Sequence, residues 1–350
     1  MLDRVISRES LLRLVDDLAR SRQIVGPVRR GDHYFYERVS EASSLDLGFS
    51  YCVYGPKSVL LPPREVLFRF NRADGSFETQ NVLDEAPTAL IGVHPCDLNA
   101  IRLLDRVFSR THVDPQYQRR RANTLLVGID CPRPCTPGVF CADMKANEAG
   151  EGFDLLCFPL QDGAADDKLM YGVVFGTPAG RALVLEAQVG DRPLAAHERA
   201  LERYRAAKQR AFPRRIPYDV DTLPKLLERS YDSLLWEATA RRCYSCGSCN
   251  LSCPSCYCFN MVDEVDLSSR QGERFREWDG CQLRVFAEVA GGHNFRPQAA
   301  SRLRHRIYRK AKWIREREGL PGCVGCARCD RACTAHINSV EIYRQLAEEG

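Results

Sequence analysis

The spacing of apolar and polar residues divides the chain into a strand-rich first part and a helix-rich last part. Residues 1–20 place Leu11, Leu12, Leu14, Val15 and Leu18 on one side of an amphipathic helix. Short β-type runs follow at 33–39, 57–63 and 65–70, and an Asp-Gly turn signal lies within 71–78. The run "TALIGV" at 88–93 is a buried strand. Asp97 is placed to cap a helix over 98–108, with Ile101, Leu104 and Phe108 on one face. "NTLLVGID" at 123–130 is a second buried strand, so these three elements form a βαβ unit with parallel strands. Further strands are expected at 153–158, 171–176 and 181–189, and a helix near 195–211.

Residues 211–224 hold three prolines and no hydrophobic period, which marks a linker. Beyond it a helix over 225–243 aligns Leu227, Tyr231, Leu234, Leu235 and Ala238. The stretches 281–291, 298–317 and 338–349 are also helical in period. The expected architecture is an α/β domain over 1–220 followed by a mostly α-helical domain over 221–350.

Composition changes this picture little until the cysteines are counted. With 350 residues, 44% hydrophobic and 27% charged, the chain is an ordinary globular one, long enough for two domains. A net charge of +4 is too small to imply nucleic-acid binding. The basic runs at 117–121 and 301–317 read first as solvated faces and second as docking surfaces. The N-terminus lacks the continuous apolar core of a signal peptide, and no run is apolar enough to enter a membrane. A cytoplasmic, reducing location follows as the expectation, and there seventeen cysteines call for ligation rather than disulfides.

Residues 243–258 read "CYSCGSCNLSCPSCYC". Cys243, Cys246, Cys249 and Cys253, followed by Pro254, have the spacing C-x2-C-x2-C-x3-C-P, and Cys323, Cys326, Cys329 and Cys333 repeat it. This is the bacterial ferredoxin pattern for [4Fe–4S] clusters: three thiolates wrap three corners of one cube and the fourth ligates the other. With that exchange one cluster takes Cys243, Cys246, Cys249 and Cys333, and a second takes Cys323, Cys326, Cys329 and Cys253. Zinc would need paired C-x2-C units, which fits the 2-2-3 spacing less well. A radical-enzyme C-x3-C-x2-C run is absent, because five residues separate Cys135 from Cys141. About seventy residues separate the motifs, which favours a helical ferredoxin over a compact β-hairpin one. Thr334 stands where proline usually follows, without touching the ligand set.

Other cysteines leave alternatives open. Cys256, Cys258 and Cys281 read as shell or structural residues, with further ligation as the alternative. Cys96 and Cys131 follow the two parallel strands, so they share the sheet edge where α/β folds bind ligands, and the next loop adds Cys135 and Cys141. These four are either a third iron–sulfur site or reduced, buried thiols. Cys52 and Cys157 read as core residues, and His94, His293 and His305 as packed side chains rather than ligands. No G-x-G-x-x-G, Walker A, G-x-S-x-G or H-E-x-x-H motif occurs, and "GTPAG" at 176–180 is a weak phosphate signal.

The segments at 92–108, 243–259, 293–310 and 323–333 together resemble the iron–sulfur (beta) subunits of cytoplasmic hydrogenase/sulfur reductase complexes, and equally the iron–sulfur component of anaerobic sulfite reductase. The resemblance implies an electron relay in an anaerobic complex, between a flavoprotein subunit oxidising NAD(P)H and a catalytic metalloenzyme subunit. Ala327 and Arg309 depart from the glycine and histidine of the family, and the 131–141 loop has a different cysteine spacing. A self-contained reductase with its centre in the N-terminal domain, and an oxidant-sensing module, are the alternative functions.

Overall fold

The computed structural model describes residues 1–73, 76–84, 86–160, 169–268 and 270–349. Eleven strands form among them: β1 (Arg4–Ser7), β2 (Gln23–Arg30), β3 (His33–Val39), β4 (Arg64–Ala73), β5 (Ser76–Asn81), β6 (Thr88–Val93), β7 (Thr124–Ile129), β8 (Leu155–Pro159), β9 (Met170–Phe175), β10 (Phe259–Val265) and β11 (Gln271–Trp278). The Asp74–Gly75 turn lies outside the described residues.

A seven-stranded sheet has the order β1-β9-β8-β7-β6-β2-β3. Its centre, β2, β6, β7 and β8, is parallel, and β9, β1 and β3 run antiparallel to their neighbours. Every residue of β6 and β7 is buried, as strands covered on both faces require. Ala89 and Ile91 pack with Leu11, Leu14 and Leu18 of the helix Arg8–Ala19 on one face. Leu90 and Leu126 pack with Ile101, Leu104 and Phe108 of the helix Pro95–Arg110 on the other.

Three expected elements differ. Residues 57–63 hold the short helix Lys57–Leu60, not a strand. Residues 181–189 fall mostly in the helix Pro178–Glu186, because Thr177 caps it from Gly180 N and Pro178 occupies its first turn. A Cβ on Gly180 would meet Asp154 O at 2.0 Å, so "GTPAG" is a tight packing corner. Asp97 does not cap its helix: Pro95 starts the helix earlier, after His94, and leaves Asp97 fully buried in the first turn.

The last third is less helical than its period suggests. The expected helix 225–243 is two short ones, Leu223–Arg229 and Leu235–Ala240, parted by a turn in which Trp236 Nε1 donates to Ser230 O at 2.8 Å. Residues 281–291 make only one 3-10 turn, Val285–Ala287, before Gly291 and Gly292 at positive φ. The long helical run starts at Ala299 and ends at Gly319, with a π-type segment at Arg309–Trp313.

Between the cysteine motifs, β10 and β11 form a hairpin, and β11 pairs with β4 in the four-stranded sheet β10-β11-β4-β5. Strands from both sides of residue 221 thus share one sheet. Its anchor is buried Glu65, which accepts from Arg276 Nε at 2.6 Å and also pairs with Arg120. The expected linker is packed as well: Ile216, Val220 and Leu223 join Ile307, Tyr308 and Tyr343 in one core. Among the described residues, no helix is long and apolar enough to cross a membrane.

Candidate metal centres

The two cysteine motifs repeat one backbone course. Ser245 and Gly325, each two residues after the first cysteine, have φ 55° and 64°. Gly247 and Ala327, each after the second cysteine, have φ 78° and 53° and open the helical turns Ser248–Leu251 and Arg328–Arg331. Left-handed residues at these points reverse the chain quickly enough to aim successive cysteines at one centre. Gly325 has a further reason to be glycine, since a Cβ would meet the Phe140 carbonyl at 2.5 Å. Its amide donates to Cys323 Sγ at 3.4 Å, and Ile337 N donates to Cys333 Sγ at 3.4 Å.

The structure gathers the cysteines into three cavities. Cys243, Cys246 and Cys249 of the first motif line one cavity with Cys333 of the second; Cys329 forms part of its wall. Cys253 of the first motif lines another with Cys323, Cys326 and Cys329 of the second. Cys96, Cys131, Cys135 and Cys141 line a third, which Cys326 also borders. All seventeen cysteines are free of disulfides. Among the described residues, no three His, Cys, Asp or Glu side chains close on a single ion.

The surroundings are cationic. Arg306 and Lys310 are buried and border the second cavity, and Arg306 borders the first as well. Lys57 is buried beside Cys256, Cys253 and Cys258, with its ammonium 3.6 Å from the Trp278 ring centroid. Among the described residues none of the three has a carboxylate within ion-pair distance; Lys310 Nζ donates only to Ser255 O and Oγ, at 2.9 and 3.0 Å, and Arg306 Nε has no partner. Burial alone lowers the pKa of Arg306 and Lys310, yet the thiols facing them hold both above their ordinary values. Burial pushes Cys249 up to about 11 and Cys323 up to about 12, although Arg306 lowers the first and Lys310 the second. Buried cations without carboxylates fit an anionic thiolate-bound cluster, which would supply the counter-charge they lack.

These cations were missed in the sequence. Arg302, Arg306 and Lys310 belong to the basic run read as a solvated or docking face, but all three are buried. Their stride of four residues, which puts them on one helix face, was the available signal. Arg302 Nη2 donates to Ser245 Oγ at 2.8 Å and so braces the first motif. In the other basic run, Arg120 is buried against Glu65.

Asp97 and Arg328 form a second hidden tie. Arg328 Nη1 donates to Asp97 Oδ1 at 2.6 Å, Nη2 donates to Oδ2 at 2.8 Å, and Nε donates to Cys52 O at 2.9 Å. The first turn after β6 is thereby pinned to the second cysteine motif.

The remaining residues have simpler places. Asn250 Nδ2 donates to Cys281 Sγ at 3.5 Å and Cys256 Sγ at 3.7 Å, and neither they nor Cys258 line the three cavities. Cys157 lies in the sheet core, and Cys52 is fully buried. His94 stacks on Phe49 at 4.1 Å and borders the third cavity, while His293 packs on Phe295 and His305 on Trp313.

A family model described as a 4Fe-4S dicluster domain matches residues 242–337. The sulfhydrogenase 2 subunit beta of Pyrococcus furiosus is 31% identical over 329 residues, covering 93% of this chain and 92% of its own length. The matched domain implies two [4Fe–4S] clusters.

Proposed function

Because the chain belongs to the family of the sulfhydrogenase 2 subunit beta, an iron–sulfur subunit, we propose that it relays electrons between an NAD(P)H-linked flavoprotein and a catalytic hydrogenase or reductase within one complex. The relative's name supports membership of a multi-subunit redox complex. The observation that carries the reading is the pair of cavities, each lined by three cysteines of one motif and at least one of the other, beside buried cations that lack carboxylates among the described residues.

Cys243, Cys246, Cys249 and Cys333 would hold one cluster, and Cys253, Cys323, Cys326 and Cys329 the other. A bound [4Fe–4S] cluster supplies one-electron storage tuned by burial, charge and hydrogen bonds to sulfur. The chain's own residues do that tuning. Arg306 and Lys310 offset the negative charge, and the amides of Gly325 and Ile337 donate to thiolate sulfur. Cys246 and Tyr244 are exposed, the latter by 74%, so the first site is the port nearest the surface.

The test is anaerobic isolation of the chain with its native complex, followed by iron and acid-labile sulfide analysis and EPR of the reduced sample. Two clusters require at least about eight irons and eight sulfides per chain. Reduction by NAD(P)H should need the co-purifying flavoprotein. Zinc with negligible labile sulfide, or reduction by NAD(P)H without a flavoprotein, would overturn the reading.

A further inference from the structure

We propose that Cys96, Cys131, Cys135 and Cys141 ligate a third [4Fe–4S] cluster, placed next in line after the site of Cys253, Cys323, Cys326 and Cys329. The proposal deepens the relay reading and rests on it. The four thiols arrive from separate pieces of chain. Cys96 sits in the first turn of the sixteen-residue helix Pro95–Arg110, Cys131 follows β7, and the loop beyond contributes the other two. All four line one cavity, whose other walls include Val139, Ala146 and Phe212. The thiols also pack together, with Cys96, Cys135 and Cys141 in one apolar cluster, whereas Cys157 is the single cysteine of the sheet core.

Each approach to the cavity is held in place. Asp130, just before Cys131, is buried and accepts from Lys208 Nζ at 2.6 and 2.7 Å and from Tyr204 at 2.8 Å. The cysteine loop is tied to the second ferredoxin motif, because Phe140 N donates to Gly325 O at 2.8 Å and Arg331 Nη1 donates to Thr136 Oγ1 at 2.6 Å. Arg328, gripping Asp97 beside Cys96, also faces Cys326. The positive end of the helix Pro95–Arg110 favours an anionic group at Cys96.

Cys326 borders both cavities, so the two centres would share a wall one side chain thick. Exchange between them moves one electron: the reduced neighbour loses it and the third cluster gains it, with no bond made or broken. The relay would then extend from the exposed Cys246 to the carboxyl edge of the parallel sheet.

Anaerobically isolated native complex tests this, with iron, sulfide and zinc counted per chain and Mössbauer spectra taken. Correction for the partner subunits comes from the same preparation carrying Cys131→Ser and Cys135→Ser in this chain. The expected result is about twelve irons in the native chain and about eight in the variant, a loss of one third, with the EPR signals of the other two clusters retained. About eight irons in both preparations, or a zinc ion lost on substitution, overturns the third cluster and leaves the two-cluster reading standing. Fewer than about eight in the native chain overturns both. Should the variant fail to assemble, the Mössbauer area of the native complex decides between two and three clusters.

Discussion

Gly247 and Ala327 occupy the same left-handed position in the two cysteine motifs, as do Ser245 and Gly325, yet the cavities shaped by these loops differ in depth. The first opens beside Cys246 and Tyr244, both exposed. The second is walled by Phe140, Tyr343, Arg306 and Lys310, and its loop is pinned by Asp97 from the first part of the chain. Ligand spacing therefore sets the local loop, while neighbouring elements set how far each site lies from water. A buried site and an exposed one tune the same cluster type differently, since potential follows burial, charge and hydrogen bonding to sulfur.

The sharpest way to break this contrast is to remove one ligand from each site. Cys326→Ser should cost the second cluster and the fold around it, with about four irons lost and a large drop in melting temperature. Cys246→Ser should also lower iron content but leave the protein folded, because its loop faces solvent. Equal thermal losses in the two variants would contradict the difference in depth.

Asp97→Ala leaves Arg328 buried without its carboxylate, and about 3–5 kcal/mol of stability should be lost in anaerobic denaturant titrations. The damage should fall on the second site, read as increased oxygen lability of its EPR signal. Lys310→Met removes a buried charge beside that site. Its potential should fall by on the order of 50–100 mV, from a change of on the order of 1–3 kcal/mol per electron, while the first site shifts less. Redox titration followed by EPR separates the two.

The smallest effect concerns the loops themselves. Ala327→Gly relieves a left-handed alanine and should stabilise the holo-protein by about 1 kcal/mol. Gly247→Ala should do the reverse, with an added contact because its Cβ would lie 3.1 Å from Leu283. Equal melting temperatures for both variants would mean that the loop conformations do not match.

Much of the α/β core was legible because β6 and β7 are continuous apolar runs on either side of an amphipathic helix. The run at 181–189 misled because a short apolar stretch suits strand or helix alike, and only Thr177 and Pro178 decide it. The hairpin of β10 and β11 escaped notice because β10 is mostly exposed and β11 mostly polar, so no alternation of apolar and polar positions marks them. Buried Arg302, Arg306 and Lys310 were misread for a related reason: charge in a sequence implies solvent unless the counter-charge is known, and their stride of four residues was the one sign against it.

The sequence by itself determined the chemistry of the dicluster domain, since thiolate spacing along a short loop is a local property that needs no knowledge of the fold. Only the tertiary structure decided which cysteines of distant segments line a common cavity, which cations face them, and that Asp97 grips Arg328. Those are contacts between residues up to 231 positions apart, and their cost or benefit depends on burial, which no local pattern specifies.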